Sequence, residues 1–172
     1  MDVRILTAAD AEAFWNIRLR ALREDPESFG VSYEEILERG IAGAAQGLYR
    51  KGAAQDDATF GAFDGGTLVG VVGFRREEET KKRHKASIWG IYVIPEMRGR
   101  GVGKTLLASA IAYAKTLSGL ERINLAAVVT SKEARRLFIS LGFTAYGLER
   151  QALKLGDRYF DQELMTLPLT SS

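Results

Sequence analysis

Seven consecutive residues, Arg98-Gly99-Arg100-Gly101-Val102-Gly103-Lys104, separate an apolar strand-like stretch, Ile88 to Ile94, from a helix-like one, Thr105 to Ala114. A strand that turns through glycine into a helix needs a second strand beside the first, because the crossover helix must pack back on the sheet. Arg122 to Val129, rich in Ile, Leu and Val, supplies it, so the spacing predicts a βαβ unit with two parallel strands. The turn itself opens a helix, where backbone N–H groups lack acceptors and the helix dipole adds partial positive charge. With Arg98, Arg100 and Lys104 on the same turn, a phosphate or pyrophosphate is its natural guest, at the carboxyl ends of the strands.

Counting excludes two nucleotide loops. The Gly103-Lys104-Thr105 tail fits a triphosphate-binding loop only if position 98 is glycine, and it is Arg98. A dinucleotide fingerprint starting at Gly99 or Gly101 puts its third glycine on Lys104 or Leu106. The pattern that remains is Arg-x-x-Gly-x-Gly.

The rest of the chain reads as alternating strands and helices. Asp2 to Leu6 is a short strand and Thr7 is placed to cap the helix Ala8 to Glu24. On that helix Ala11, Phe14, Trp15, Leu19 and Leu22 form the buried face, leaving Arg18, Arg20 and Arg23 outside. Asp25-Pro26 stops it. Ser32 to Arg50, interrupted by Gly40, Gly43 and Gly47, predicts two short helices with a loop. Thr59 to Phe63, the turn Asp64-Gly65-Gly66 and Leu68 to Phe74 make a hairpin. Glu77 to Arg83 reads as a charged loop and Ala86 to Ile94 as a central strand ended by Pro95. After the helix Gly103 to Leu117 and the strand Arg122 to Val129 come a helix Lys132 to Leu141, a C-cap at Gly142 and a strand Phe143 to Glu149. A loop through Gly156-Asp157 leads to a last strand, Tyr159 to Leu167, and a frayed tail, Pro168 to Ser172.

Composition narrows the function classes. The 172 residues suit one domain, 1–172, and 46% hydrophobic with 27% charged residues disfavours both disordered and membrane chains. Without cysteine there is no thiol nucleophile or thiolate site, and with His84 as the one histidine no metal site is expected. A net charge of +2 does not imply nucleic acid, and Glu77-Glu78-Glu79 offsets the basic run Lys81 to Lys85. No leader or membrane span is read, so the expected location is cytoplasmic, with no membrane partner. Apolar strand edges near the C-terminus are compatible with a homodimer.

Three ordered blocks carry a family resemblance. Arg98 to Gly103 resembles the acyl-CoA pyrophosphate loop of the GNAT superfamily of N-acetyltransferases; Ile91-Tyr92-Val93-Ile94-Pro95 resembles the Leu-x-Val-x-Pro segment leading into it. Ser131 to Phe143 is similar to the family's Asn-x-x-Ala-x-x-Leu-Tyr-x-x-x-Gly-Phe, with Ala134, Leu137, Gly142 and Phe143 in register and Ser131 and Phe138 replacing Asn and Tyr. Leu19 to Phe29, Ser32 to Glu35 and Gly156 to Met165 also look like small-molecule branches. The resemblance implies an α/β, single-domain GNAT-like fold: a mixed, bent sheet of six to seven strands with helices on both faces. It implies an acetyl-CoA-dependent transfer to the amine of a small molecule, by direct attack on the thioester in a ternary complex. A catalytically weak acyl-CoA-binding or sensing module is the alternative.

Carried over residue by residue, the backbone of Gly99, Arg100, Gly101, Val102, Gly103 and Lys104 cradles the CoA pyrophosphate, and Arg98 and Arg100 add charge. Backbone groups of Ile91 and Val93 pair with the pantetheine arm as an added strand, Ser131 hydrogen-bonds the arm, and Phe138 lies beside it. Phe29, Tyr33 and Glu34 face the acceptor. The catalytic groups stay open. The strand Ala86 to Ile94 lacks the Glu that many relatives use as base, leaving Glu34 and Glu35 first, then Asp161, Glu149 and His84. Phe138 has no proton for the leaving thiolate, so Tyr92, Tyr146, Tyr159 or solvent must supply it.

Overall fold

The computed structural model describes residues 1–54 and 56–169. A seven-stranded sheet in the order β1-β2-β3-β4-β5-β7-β6 organises them. In chain order the elements are β1 (Asp2–Ile5), α1 (Ala11–Glu24), α2 (Tyr33–Ala54), β2 (Asp57–Asp64), β3 (Thr67–Arg76), β4 (Lys85–Val93), α3 (Val102–Thr116), β5 (Arg122–Val128), α4 (Lys132–Ser140), β6 (Thr144–Leu155) and β7 (Arg158–Pro168). Neighbouring strands are antiparallel except β4 and β5, which are parallel, as a crossover through α3 requires.

Helices cover both faces. On one side Ala11, Phe14, Ile17 and Ala21 of α1 and Leu48 of α2 pack on Val71 and Tyr92. On the other, Leu106, Leu107, Ala110 and Ala114 of α3 pack on Val72, Phe74 and Ile88. The β2–β3 hairpin turns through Gly65 and Gly66, both at positive φ (54° and 83°), which is the twist a two-residue hairpin needs.

Several local expectations change. Thr7 does not cap with its side chain alone: its N–H donates to the Asp10 carboxylate at 2.8 Å, and Arg4 holds the same carboxylate at 2.8 Å. The two helices expected over Ser32 to Arg50 meet at Gly40 (φ 64°, ψ −175°) without a loop and run on to Ala54. Strand β6 continues past Glu149 through an irregularity that ends at Leu153, because the Asp161 carboxylate accepts the Gln151 N–H at 2.8 Å and keeps the strands together. Pro168 pairs with Arg122 and the Leu169 N–H donates to the Glu121 carbonyl at 2.8 Å, so these two residues are not a frayed tail; 170–172 lie outside the described residues. Arg18, expected outside, is buried at 8% exposure. Among the described residues, no helix is long and apolar enough to cross a membrane.

Candidate active site

The site begins where the sheet opens. β4 and β5 pair only over Lys85–Ser87 with Arg122–Asn124, then diverge. Beyond Ser87 the facing edges are separated by a cleft of about 870 Å³, lined by Ile88 to Val93, Leu125 to Val128 and much of the glycine-rich turn. A bulge shapes its wall. Val71 pairs with Tyr92 and Gly73 with Trp89, so Val72 faces both Gly90 and Ile91. Gly90 sits at φ 62°, a conformation that favours glycine, and a Cβ there would lie 2.7 Å from Arg18 Nη1, which would have to move.

The turn is an open cradle. Gly99 (φ 72°) and Gly101 (φ 80°) are left-handed, and a Cβ on either would meet nothing within 4 Å. Gly101 precedes α3 without a side-chain cap, and the Thr105 N–H to Gly101 carbonyl bond of 3.0 Å starts the helix. The N–H groups of Val102, Gly103 and Lys104 therefore have no helical acceptor, and these residues line the cleft. Gly103 has a second duty: a Cβ would come 3.1 Å from Leu137 Cδ2, so its absence lets α3 approach α4.

The cations of the turn divide. Lys104 lines the cleft, joined by Lys132 of α4, while Arg100 is exposed and does not line it. Arg98 lines it but is tied internally: Nε donates to the Val93 carbonyl at 2.9 Å and Nη2 to Asp25 at 2.8 Å, with the guanidinium over the Tyr92 ring. It clamps the turn to the end of α1. Ser131 lines the opposite wall, and Phe138 lines it while buried at 4% exposure, edge-on to Phe143 at 6.1 Å.

Of the residues expected to face an acceptor, Phe29 lines the cleft, whereas Tyr33 and Glu34 do not. The Tyr33 hydroxyl accepts from Arg23 at 2.9 Å. Glu35 accepts the Ser32 N–H at 2.7 Å and Ser32 Oγ accepts the Glu35 N–H at 3.1 Å, a reciprocal helix cap that holds the Glu35 carboxyl below its ordinary range. Asp161 is committed to Gln151, and neither Glu149 nor His84 reaches the cleft.

Of the three tyrosines, Tyr92 lines the cleft, while Tyr146 and Tyr159 do not and are half exposed. The Tyr92 hydroxyl donates to Glu24, and burial first, then that bond, push it well above the usual phenol range. The Glu24 carboxyl is held low by the same bond and by Arg20, which also grips Glu96.

The structure adds residues that the sequence did not single out: Glu27, Trp89, Gly90 and Glu133 line the cleft, and Arg18 stands behind Trp89 and Gly90. Gly90 carried a usable signal, since a lone glycine in an apolar strand marks a bulge. Glu27 and Glu133 carried none; both form no ion pair among the described residues.

With this geometry in place, comparisons with known proteins agree. The chain is 29% identical over 82 residues to a spermidine N(1)-acetyltransferase of Vibrio cholerae, a match covering 48% of this chain and 47% of the relative. The chain spans about half the length of the curated relatives it matches. In fold it superposes with a TM-score of 0.87 on a GNAT-family acetyltransferase from Streptococcus pneumoniae, at 21% identity and covering 97% of this chain and 98% of that one. It also superposes, with a TM-score of 0.81, 21% identity and coverage of 100% and 95%, on yncA, a putative acetyltransferase of Salmonella typhimurium solved with its cofactor acetyl-CoA. The Acetyltransferase (GNAT) family model matches residues 19–143, and the chain belongs to that family.

Proposed function

We propose that the chain is an acetyl-CoA-dependent N-acetyltransferase whose acceptor is the amine of a small molecule. The observation that carries this reading is the uncapped start of α3 beside left-handed Gly99 and Gly101, facing open space inside the cleft between β4 and β5. A pyrophosphate suits that cradle: the N–H groups of Val102, Gly103 and Lys104 donate to it, and Lys104 and Lys132 add charge. The free edge of β4 from Ile88 to Val93 offers backbone groups to an extended amide-bearing arm, with Ser131 on the facing wall. A relative named for spermidine supports an amine as acceptor.

When bound, acetyl-CoA supplies an activated acyl group, which passes to the amine nitrogen as the C–S bond breaks and CoA leaves as the thiol. The protein's own work is then positional and protonic. Backbone N–H groups along the free edge of β4 would hold the thioester oxygen as it gains charge. Glu27, half-buried on the cleft wall and unpaired, takes the amine's proton through water. The Tyr92 proton is committed to Glu24, so solvent in the open cleft protonates the thiolate.

One observation favours a second reading. Phe138 stands where a proton donor is expected by resemblance, and the nearest phenol in the cleft is engaged; an acyl-CoA-binding module with little turnover has the same cradle. Calorimetry with CoA, followed by thiol release from acetyl-CoA against a panel of amines, separates them. Saturable CoA binding with one thiol released per N-acetylated product supports the enzyme. CoA binding without turnover on any amine leaves the binding module, and no CoA binding overturns both.

A further inference from the structure

Arg18 breaks the pattern of its helix. It is 8% exposed, yet among the described residues its guanidinium donates no hydrogen bond and meets no carboxylate. Its neighbours are ring faces: the guanidinium carbon lies 5.9 Å from the Phe29 centroid and 5.3 Å from that of Trp89. Nη1 fills the space left by the missing side chain of Gly90. Burial first, and the like charge of Arg39 second, push this guanidinium down to about 10. Glu24 is bonded to Tyr92 and Arg20, Asp25 to Arg98, Glu96 to Arg20 and Glu35 to Ser32; Glu27, on the cleft wall, forms no ion pair with Arg18 or with any other described residue.

A buried cation without an anion is unfavourable, and aromatic faces offset that only in part. The arrangement is completed by a small anion. Phe29, Trp89 and Gly90, the residues in contact with Arg18, all line the cleft at the bulge of β4. Arg18 itself does not line the cleft; its Nη1 stands directly behind Gly90, 2.7 Å from where a Cβ would be, so the missing side chain is what lies between the guanidinium and the cleft wall. Arg18 approaches β4 from the α1 face and the phosphate cradle from the α3 face. An anion on Arg18 is therefore held apart from the CoA phosphates, on the acceptor's side.

We propose that Arg18 is an acceptor-specificity determinant that receives the carboxylate of an amino-acid-like acceptor, pairing with it through its planar fork. The inference rests on the acetyltransferase reading and narrows it. A buried, uncompensated positive charge also disfavours polycations, so simple polyamines are poor acceptors here.

The test compares acceptors that differ only at the carboxylate: a panel of amino acids, their primary amides, their decarboxylated amines and linear polyamines, with thiol release and mass-spectrometric detection of product. Wild-type protein is expected to favour the best amino acid over its amide by about 100-fold in kcat/KM. Arg18→Gln is expected to bring that ratio near unity through a raised KM, and Arg18→Lys to restore part of it. Calorimetry on wild-type protein with CoA present gives a readout independent of those variants folding: the N-acetylated amino acid binds and its carboxamide does not. Turnover of amides, simple amines or polyamines equal to or above that of amino acids overturns the role of Arg18 while leaving the acetyltransferase reading intact. A preference that survives in Arg18→Gln does the same. No turnover with any amine overturns both.

Discussion

The two ends of the cleft are made of different material. The cradle at Gly99 to Lys104 is backbone, contributed by consecutive residues, and its donors exist because a helix must begin somewhere. The end proposed for the acceptor is side chain, assembled from α1, the segment after it and β4, with long-range ties that include Arg18 on Phe29 and Trp89, Tyr92 on Glu24 across 68 positions of sequence and Arg98 on Asp25 across 73. A backbone site tolerates loss of a side chain but not gain of one. A side-chain site behaves in the opposite way, and that difference can be tested.

The largest effect is expected at the cradle. Gly101→Val puts a branched Cβ where φ is 80°, which costs roughly 1–2 kcal/mol in strain alone and blocks the phosphate's approach. Calorimetry should show CoA affinity falling by about 100-fold with the far-ultraviolet circular dichroism unchanged. Arg98→Ala removes a charge that is already paired with Asp25, so a loss of only about threefold to tenfold is expected in the same experiment. If Arg98→Ala equals or exceeds Gly101→Val, the backbone is not the main contact and the contrast between the two ends collapses.

Phe138→Tyr sharpens the comparison from the other wall. It adds a hydroxyl to a side chain that lines the cleft and packs edge-on to Phe143. A rise in kcat of a few-fold, about 1 kcal/mol or less in barrier, with KM for acetyl-CoA little changed, is the expected result in steady-state thiol release. An unchanged kcat would show that solvent already supplies the proton at no cost.

The smallest effect is one of pH. Glu24 is held below its ordinary value of 4.5 by the Tyr92 hydroxyl and then Arg20. A carboxyl with a depressed folded-state pKa adds stability that is present above its unfolded pKa and lost as pH falls through the folded one. Tyr92→Phe removes the larger of these causes, so the decline of stability below about pH 4.5 should be shallower in the variant. Urea titrations at stepped pH check this; parallel curves would mean that the Tyr92–Glu24 bond does not persist in solution.

Legibility followed the same division. The βαβ unit, the hairpin at Gly65-Gly66 and the glycine turn that opens α3 were readable because each depends on neighbours in sequence; the left-handed dihedrals of Gly99 and Gly101 are the structure's addition. The burial of Arg18 was not. Helical spacing placed it among exposed arginines, and only the close approach of Gly90, with Phe29 and Trp89 on its flanks, makes room for it inside. Tyr33 and Glu34, read as acceptor residues from a resembling segment, fall outside the cleft because α2 starts beyond its rim and Tyr33 turns to Arg23. Glu27 had no local mark at all.

The amino-acid sequence by itself determined the parallel crossover and the glycine turn that opens α3 without a side-chain cap, since helix starts and strand periodicity are short-range properties. Tertiary structure alone decided how far β4 and β5 part, which carboxylates are already spent on arginines, and which cation is buried without a partner. Those outcomes depend on contacts between residues distant in sequence, where desolvation and pairing, rather than local conformational preference, set the free energy.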